Sequence, residues 1–437
     1  MTRRLAGEST HLILGLTRRN SRQVSISEYA RGTKRKEDGF MALSEKQPVL
    51  VLRRSGPEAV GPNLKVVFFS FMFYGFGWGL YTAVLPAIRA NSEVTNGEFG
   101  TALLGMALTA MPVMLTFGRL LDRFGRAPAV IAAALFALTL PLPIMASSLD
   151  QLVVALLLFG MGTGAVEVVV VSLAATVEST SGVRVLNRAH ALFSGGLVAG
   201  TACAGLFAFS GQNPGISLFV FTGVILLALP AARRMLPPHL MPRRAVDTAE
   251  KPRPRIDRKI VLLGALAALA MLVESGAQQW SGIFLRDVTG ASQALASLAP
   301  GVFACGMITG RLCGHWAAAR ICDRWILGIS GLNVTAGVLL IATSTHPAVT
   351  LLAIAFTGAA SSAITPTIYG FAGRSATSGC RGAVIGTTTS IAYVGLLAGP
   401  AVVGMLAELA GLRTAVGLLA LIALAVSLVS LRFARDG

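Results

Sequence analysis

Two acidic residues stand inside apolar runs: Glu167 in GMGTGAVEVVVVS and Glu274 in MLVESGAQQWSG. A carboxylate in hydrocarbon costs several kcal/mol, so each is expected to face a polar cavity and to carry a function there. A buried carboxyl whose surroundings change during a cycle is suited to take up and release a proton. The structural alternative for each is a carboxyl hydrogen-bonded to a neighbouring helix. Aromatic, amide and hydroxyl groups fall in comparable runs: Tyr74, Trp78 and Tyr81; Gln278, Gln279 and Trp280; Ser361, Ser362 and Thr365; and Tyr393. A few polar groups between apolar walls are what orients a bound ligand. Trp280 fits either a cavity wall or an interfacial anchor. Ser and Thr in such runs often bond only their own backbone. His190 reads as structural, with a proton relay as the alternative.

Other chemistries find no support. No Ser-His-Asp order and no phosphate-cradling glycine motif with Lys stands out, so no enzyme is expected. The five cysteines are scattered and odd in number, which implies no disulfide framework. Cys313, His315 and Cys322 match no zinc spacing, and no metal site is expected. No cofactor is expected either; the energy source that suits buried acids is a proton gradient.

The elements that must position these groups follow from composition. The chain has 437 residues, 54% hydrophobic and only 13% charged, with 48 glycines. Soluble domains carry roughly 25% charge. Runs of about 20 apolar residues, long enough to cross a bilayer as helices, recur along the chain. Twelve spans are predicted, at 66–88, 98–117, 128–146, 152–176, 189–210, 215–232, 259–283, 292–312, 325–342, 348–370, 386–407 and 411–431. The connections are short except 233–258, which is basic and proline-rich. The fold class is therefore an all-α membrane protein: a six-helix bundle over 65–232, a linker loop over 233–258 and a second bundle over 259–437. Residues 1–64 hold 12 Lys and Arg, 6 acids and no run of membrane length. They read as a basic, disordered cytosolic tail, with a possible start at Met41 that would leave residues 1–40 untranslated.

Charge sets the orientation. Arg119, Arg123, Arg126, Arg184, Arg188, the nine basic residues of 233–259, Arg311, Arg320, Arg324, Arg374, Arg381, Arg432 and Arg435 lie on one side, 21 in all. Against them stand Arg89, Arg286 and Arg413. The positive-inside rule puts both termini and the linker in the cytosol of a bacterial-type inner membrane. The net charge of +17 is explained in this way, so no nucleic-acid partner is expected. The expected partners are membrane lipids and a small-molecule substrate, with the chain a monomer.

The densest small charge cluster is FGRLLDRFGRAPAV, 117–130, between spans 2 and 3. Its counterpart between spans 8 and 9 is GRLCGHWAAARICDR, 310–324. Both open with Gly-Arg-Leu and contain an Asp-Arg pair, which marks an internal parallel repeat. Gly118 would allow close helix approach, Gly125 a tight turn, and Asp122 would suit the start of span 3. Gly118-Arg119-Leu120-Leu121-Asp122-Arg123-Phe124-Gly125-Arg126 resembles the signature loop of the major facilitator superfamily. The resemblance implies secondary transport by alternating access. It also implies a latch between the halves made by Gly118, Asp122, Arg123, Gly125 and Arg126, and a cavity lined by spans 1, 4, 7 and 10. The second-half loop is degenerate, with His315 and Trp316 in place of charge and turn residues.

Within the superfamily, Glu167 with Glu178, Arg184, Asn187, His190, Phe193, Ser194, Gly195 and Gly196 resembles two groups. One is the fucose–galactose–glucose type of proton symporter, which implies a role for Glu167 in sugar or proton binding. The other is a set of poorly characterised bacterial inner-membrane facilitators, which the second half also resembles through Glu274, Trp280-Ser281, Leu285-Arg286-Asp287, and Arg311-Leu312 with Gly314. The chain differs from the sugar symporters at Thr82, and from both groups at Val171. The expected function is proton-coupled transport of a sugar-like or other polar metabolite. Glu167 and Glu274 would couple and bind, and Trp78, Tyr81, Gln278, Trp280 and Tyr393 would line the cavity. The alternatives are proton-antiport efflux, uncoupled facilitation and a non-transporting sensor.

Overall fold

The computed structural model describes residues 57–124, 126–183, 185–236, 257–318, 320–376 and 381–433, all within one unit, Arg54–Gly437. The described residues form fifteen helices. The first half holds α1 (Pro57–Ala83), α2 (Leu85–Asn91), α3 (Asn96–Phe124), α4 (Arg126–Thr139), α5 (Leu142–Met145), α6 (Leu149–Ser181), α7 (Leu186–Phe209) and α8 (Ile216–Met235). The second holds α9 (Arg258–Thr289), α10 (Gln293–Ala318), α11 (Asp323–Thr343), α12 (Pro347–Ser361), α13 (Ile364–Arg374), α14 (Arg381–Ala410) and α15 (Leu412–Phe433).

Twelve of the spans these helices make are long and apolar enough to cross a membrane, matching the twelve predicted. Two spans are interrupted. Pro141 and Pro143 divide α4 from α5, and Pro366 follows the break between α12 and α13. Proline lacks the amide that would continue the ladder and its ring crowds the carbonyl four residues back. Most helices outrun their apolar cores, because backbone hydrogen bonding continues into the polar boundary. α6 shows how an end is set: Ser148 caps its start by accepting from the Gln151 amide, and Gly182 ends it at φ 70°.

Two boundaries differ from expectation. α1 starts at Pro57, inside the region read as tail. Residues 1–56, Met41 among them, lie outside the described residues. Arg233 and Arg234, assigned to the linker, form the last turn of α8. Residues 237–256 lie outside the described residues.

Packing between the helices relies on small residues. A Cβ on Gly75 or Gly79 of α1 would lie 2.0 or 2.2 Å from the carbonyl oxygens of Phe193 and Leu197 on α7. A Cβ on Gly196 or Gly200 of α7 would lie 2.1 or 2.2 Å from the Met72 and Phe76 oxygens. The two helices thus interlock through a Gly-x3-Gly pair on each, which lets the backbones touch where lipid provides no hydrophobic drive.

Alternating helix direction gives the bundle two faces. The basic face carries the starts of α1, α4, α7, α9, α11 and α14 and the end of α15. At the opposite face the two halves are pressed together. A Cβ on Gly100 of α3 would sit 2.8 Å from the Gly404 Cα of α14, and one on Gly301 of α10 would sit 2.0 Å from the Thr201 hydroxyl of α7. Polar contacts reinforce the seal. Arg89 pairs with Asp287 and also donates to Asn96, and the Gly97 amide donates to Glu408 Oε2 at 3.1 Å. This seal defines one end of the site described next.

Candidate functional site

A cavity of about 310 Å³ lies between the halves, bounded by α1, α3, α6, α7, α9, α10 and α14. Its end toward the opposite face is closed by the seal. Toward the basic face it is lined by His190 and Arg311, both exposed, so water reaches it from that direction.

The two intramembrane acids meet here, from opposite halves. Glu167 lies midway along α6 and Glu274 midway along α9, and both line the cavity. Each helix places its acid among apolar residues, with the carboxyl lining this cavity. Glu167 Oε1 accepts from the Tyr393 hydroxyl of α14 at 3.0 Å, a hydrogen bond that crosses from one half to the other. A phenol donating to a carboxylate makes a charge-assisted bond, and it weakens when the acid is protonated.

Glu274 has a different neighbour. The Arg311 guanidinium of α10 lies within electrostatic reach of Glu274 and of His190 without closing to an ion pair. Its Nη1 donates to the Ser194 hydroxyl of α7 at 3.4 Å, again across the halves. Arg311 was assigned to the basic face as a topology charge. It lies instead inside α10, which runs on to Ala318, and it lines the cavity. Sequence reading missed this role because an arginine near the end of an apolar run already satisfies the positive-inside pattern.

Of the remaining predicted lining residues, Trp78, Gln278 and Tyr393 line the cavity, and Tyr74 and Gln279 join them. Gln279 is 8% exposed, and its Oε1 has no hydrogen-bond partner. Two assignments are corrected. Tyr81 is fully buried behind the wall, its ring 4.5 Å from that of Phe159. It stands about one turn beyond Trp78 toward the opposite face, where the packed helices leave no space. Trp280 is 1% exposed and is neither lining nor anchor. Its Nε1 donates to the Pro400 carbonyl at 2.8 Å and its ring meets Phe99 of the first half edge-on at 5.9 Å. Ser361 and Ser362 return their hydroxyls to the Gly358 and Ala359 carbonyls of their own helix and do not line the cavity, nor does Thr365.

Apart from the hydroxyls of Thr163 and Ser275, the rest of the lining is apolar and rich in methionine: Met106, Met111, Met114, Met271 and Met307. Thioethers adapt to varied shapes. The arrangement can hold a small solute between adaptable walls, present it with a cation, two carboxyls and amides, and alter the protonation of an acid that bonds across the halves.

Comparison with known proteins settles the family. The model of the Major Facilitator Superfamily matches residues 67–321 and 265–436. The chain belongs to this superfamily. An uncharacterized MFS-type transporter of Yersinia pestis is 27% identical over 360 residues, covering 82% of this chain and 92% of that protein. The membrane protein MosC of Rhizobium meliloti is 26% identical over 382 residues, covering 85% and 90%. Among solved structures, the nucleoside transporter NupG superposes with a TM-score of 0.69 at 13% identity, covering 85% of this chain and 98% of that one. A D-xylose–proton symporter superposes at 0.66 and 14% identity, covering 85% and 97%. These structures show the fold. Membership of the superfamily makes the chain a multi-pass secondary transporter of a solute.

The superfamily's signature loop differs from its predicted form. Residues 118–124 are not a loop but the last turns of α3, since nothing before Gly125 breaks the helix. Asp122 therefore stands at a helix C-terminus, not at the start of span 3; its side chain and all of Gly125 lie outside the described residues. Gly118 makes no close approach, for a Cβ there would meet only Val168, at 3.9 Å. Arg123 stacks over Phe124, and Arg126 donates to the Leu236 carbonyl at 3.4 Å, within its own half. In the second copy Asp323 pairs with Arg374, also within its half. Glu178, from the sugar-symporter resemblance, caps α7 by accepting the Val185 and Leu186 amides at 2.8 and 3.1 Å.

Proposed function

We propose that this superfamily member is a proton-coupled secondary transporter of a small polar solute in a bacterial inner membrane, working by alternating access. The observation that carries the reading is the Glu167–Tyr393 hydrogen bond, which joins the halves inside the solute cavity. Protonating Glu167 weakens that bond, and so links a proton to the relative position of the halves. Glu274 and Arg311 form the second charged element, which holds the solute. With the basic face in the cytosol, the conformation described here is open inward, and the described contacts of Arg123 and Arg126 stay within their own half.

The cavity's charged and amide groups favour a metabolite with several hydrogen-bonding groups over a purely apolar one, and the methionines accept an apolar flank. A sugar-like solute fits this description. The superposed xylose–proton symporter shares only the fold, so the solute class stands on the cavity.

A thermal-stability screen of the purified protein in detergent tests the reading. Sugars, amino acids, organic acids and hydrophobic cations are compared at pH 6 and pH 7.5. A ligand of the folded state raises the melting temperature by mass action. The expected result is a shift with one polar class, altered between the two pH values and lost in Arg311→Gln. Shifts with hydrophobic cations alone would overturn the polar-solute reading.

A further inference from the structure

Away from the solute cavity, the first half has a second recess. An apolar groove of about 330 Å³ runs between α1, α4, α6 and α8, with Phe69, Phe73, Ala133, Val166, Leu229 and Met235 among its walls. Apart from Ser70 and Tyr74 its lining is apolar, and Ser70 is committed to the Val66 carbonyl at 2.8 Å, so the groove suits an apolar chain and not a polar solute. It opens sideways toward the bilayer, where Phe69 and Met235 are 54% and 61% exposed.

At the basic face the groove adjoins a polar recess lined by Arg126, Arg233 and Arg234, and the two share Val130 and Leu229. Arg126 opens α4, while Arg233 and Arg234 close α8. All three stand at the membrane boundary. None forms an ion pair with an acid among the described residues. Three cations, of which Arg126 also donates to the Leu236 carbonyl, at the head of an apolar channel that descends into the bilayer match an amphiphile with an anionic head.

We propose that this cleft binds one anionic phospholipid, its phosphate on Arg126, Arg233 and Arg234 and one acyl chain in the groove beneath. A headgroup that adds an ammonium would bring a fourth positive charge to the cluster, so a lipid of phosphatidylglycerol type is favoured over phosphatidylcholine. Tyr74 and Val170 line both the groove and the central cavity. The acyl chain therefore packs behind the wall of the solute site.

The test uses the full chain in neutral detergent and counts bound lipid by native mass spectrometry. Phosphatidylglycerol, phosphatidylcholine and soluble glycerol 3-phosphate are titrated in turn. Wild type is expected to retain one phosphatidylglycerol at least about tenfold more tightly than phosphatidylcholine. Each arginine changed to glutamine is expected to weaken that binding by about fivefold. The triple variant Arg126→Gln/Arg233→Gln/Arg234→Gln should lose the preference while keeping its lipid-free melting temperature. Ala133→Phe, which fills the groove, should lose retention with the arginines intact. Equal retention of the two lipids by wild type would overturn the proposal. So would an undiminished preference in the triple variant, or displacement of the lipid by glycerol 3-phosphate at matching concentration.

Discussion

Glu167 and Glu274 occupy matching depths in the two halves, yet their surroundings differ. Glu167 is held by a neutral phenol from the other half, while Glu274 faces a cation at longer range. A phenol stabilises the ionised acid only through one hydrogen bond, so protonation costs that bond and little else. A guanidinium open to cavity water acts on the acid only weakly and through space. The first arrangement ties an acid's protonation to a contact between the halves, and the second sets an acid and a cation apart in the cavity, where a solute can bridge them. Residue type and depth alone do not distinguish the two roles; the neighbours do.

Replacing each acid separates these roles most strongly. Glu167→Gln is expected to lower proton-driven accumulation by about a hundredfold, near 3 kcal/mol of lost coupling, while solute exchange at equal concentrations continues. Glu274→Gln is expected to weaken solute binding instead, while whatever transport remains still depends on the gradient. Uptake assays in proteoliposomes, with and without an imposed pH difference, read both. If the two variants behave alike, the distinction between the sites fails.

A smaller effect is expected at the phenol. Tyr393→Phe removes the donor to Glu167 and keeps the ring, so accumulation should fall by about tenfold with solute affinity little changed. On the other side of the comparison, Arg311→Gln and Glu274→Gln should be non-additive in ligand-induced thermal shifts. A coupling near 0.5 kcal/mol is expected, because Arg311 is open to cavity water.

The smallest effect concerns the seal. The side chains of Arg89 and Asp287 are 22% and 32% exposed, and such a pair contributes about 1 kcal/mol. Arg89→Gln should therefore shift the balance between conformations by about fivefold, seen as increased labelling of a cysteine introduced near Asn96. An unchanged labelling rate would place the seal in the packing of Gly100 on Gly404 and not in the ion pair.

Much of this was legible in the sequence. The span count followed from apolar run length, which is a property of composition alone. Glu167 and Glu274 stood out because a charge inside such a run has no other refuge than a cavity. Direction was harder to read. Tyr81 and Trp280 lie in the same helices as true lining residues, and only packing shows that Tyr81 stands behind the wall and Trp280 braces the seal. Arg311 was hidden because the charge asymmetry of the loops already explained it. The signature stretch 118–124 read as a loop because charge suggested solvent, whereas charged residues near a helix end are compatible with helix until a glycine or proline intervenes.

The most direct test of the central claim is proton movement during solute entry. Proteoliposomes holding a pH-sensitive dye are given an inward gradient of the solute that stabilises the protein, with no pH difference imposed. The account predicts a pH change inside that follows solute entry in wild type, collapses with a protonophore and is absent in Glu167→Gln. Solute entry without any pH change in wild type, at the same rate as in the variant, would contradict it.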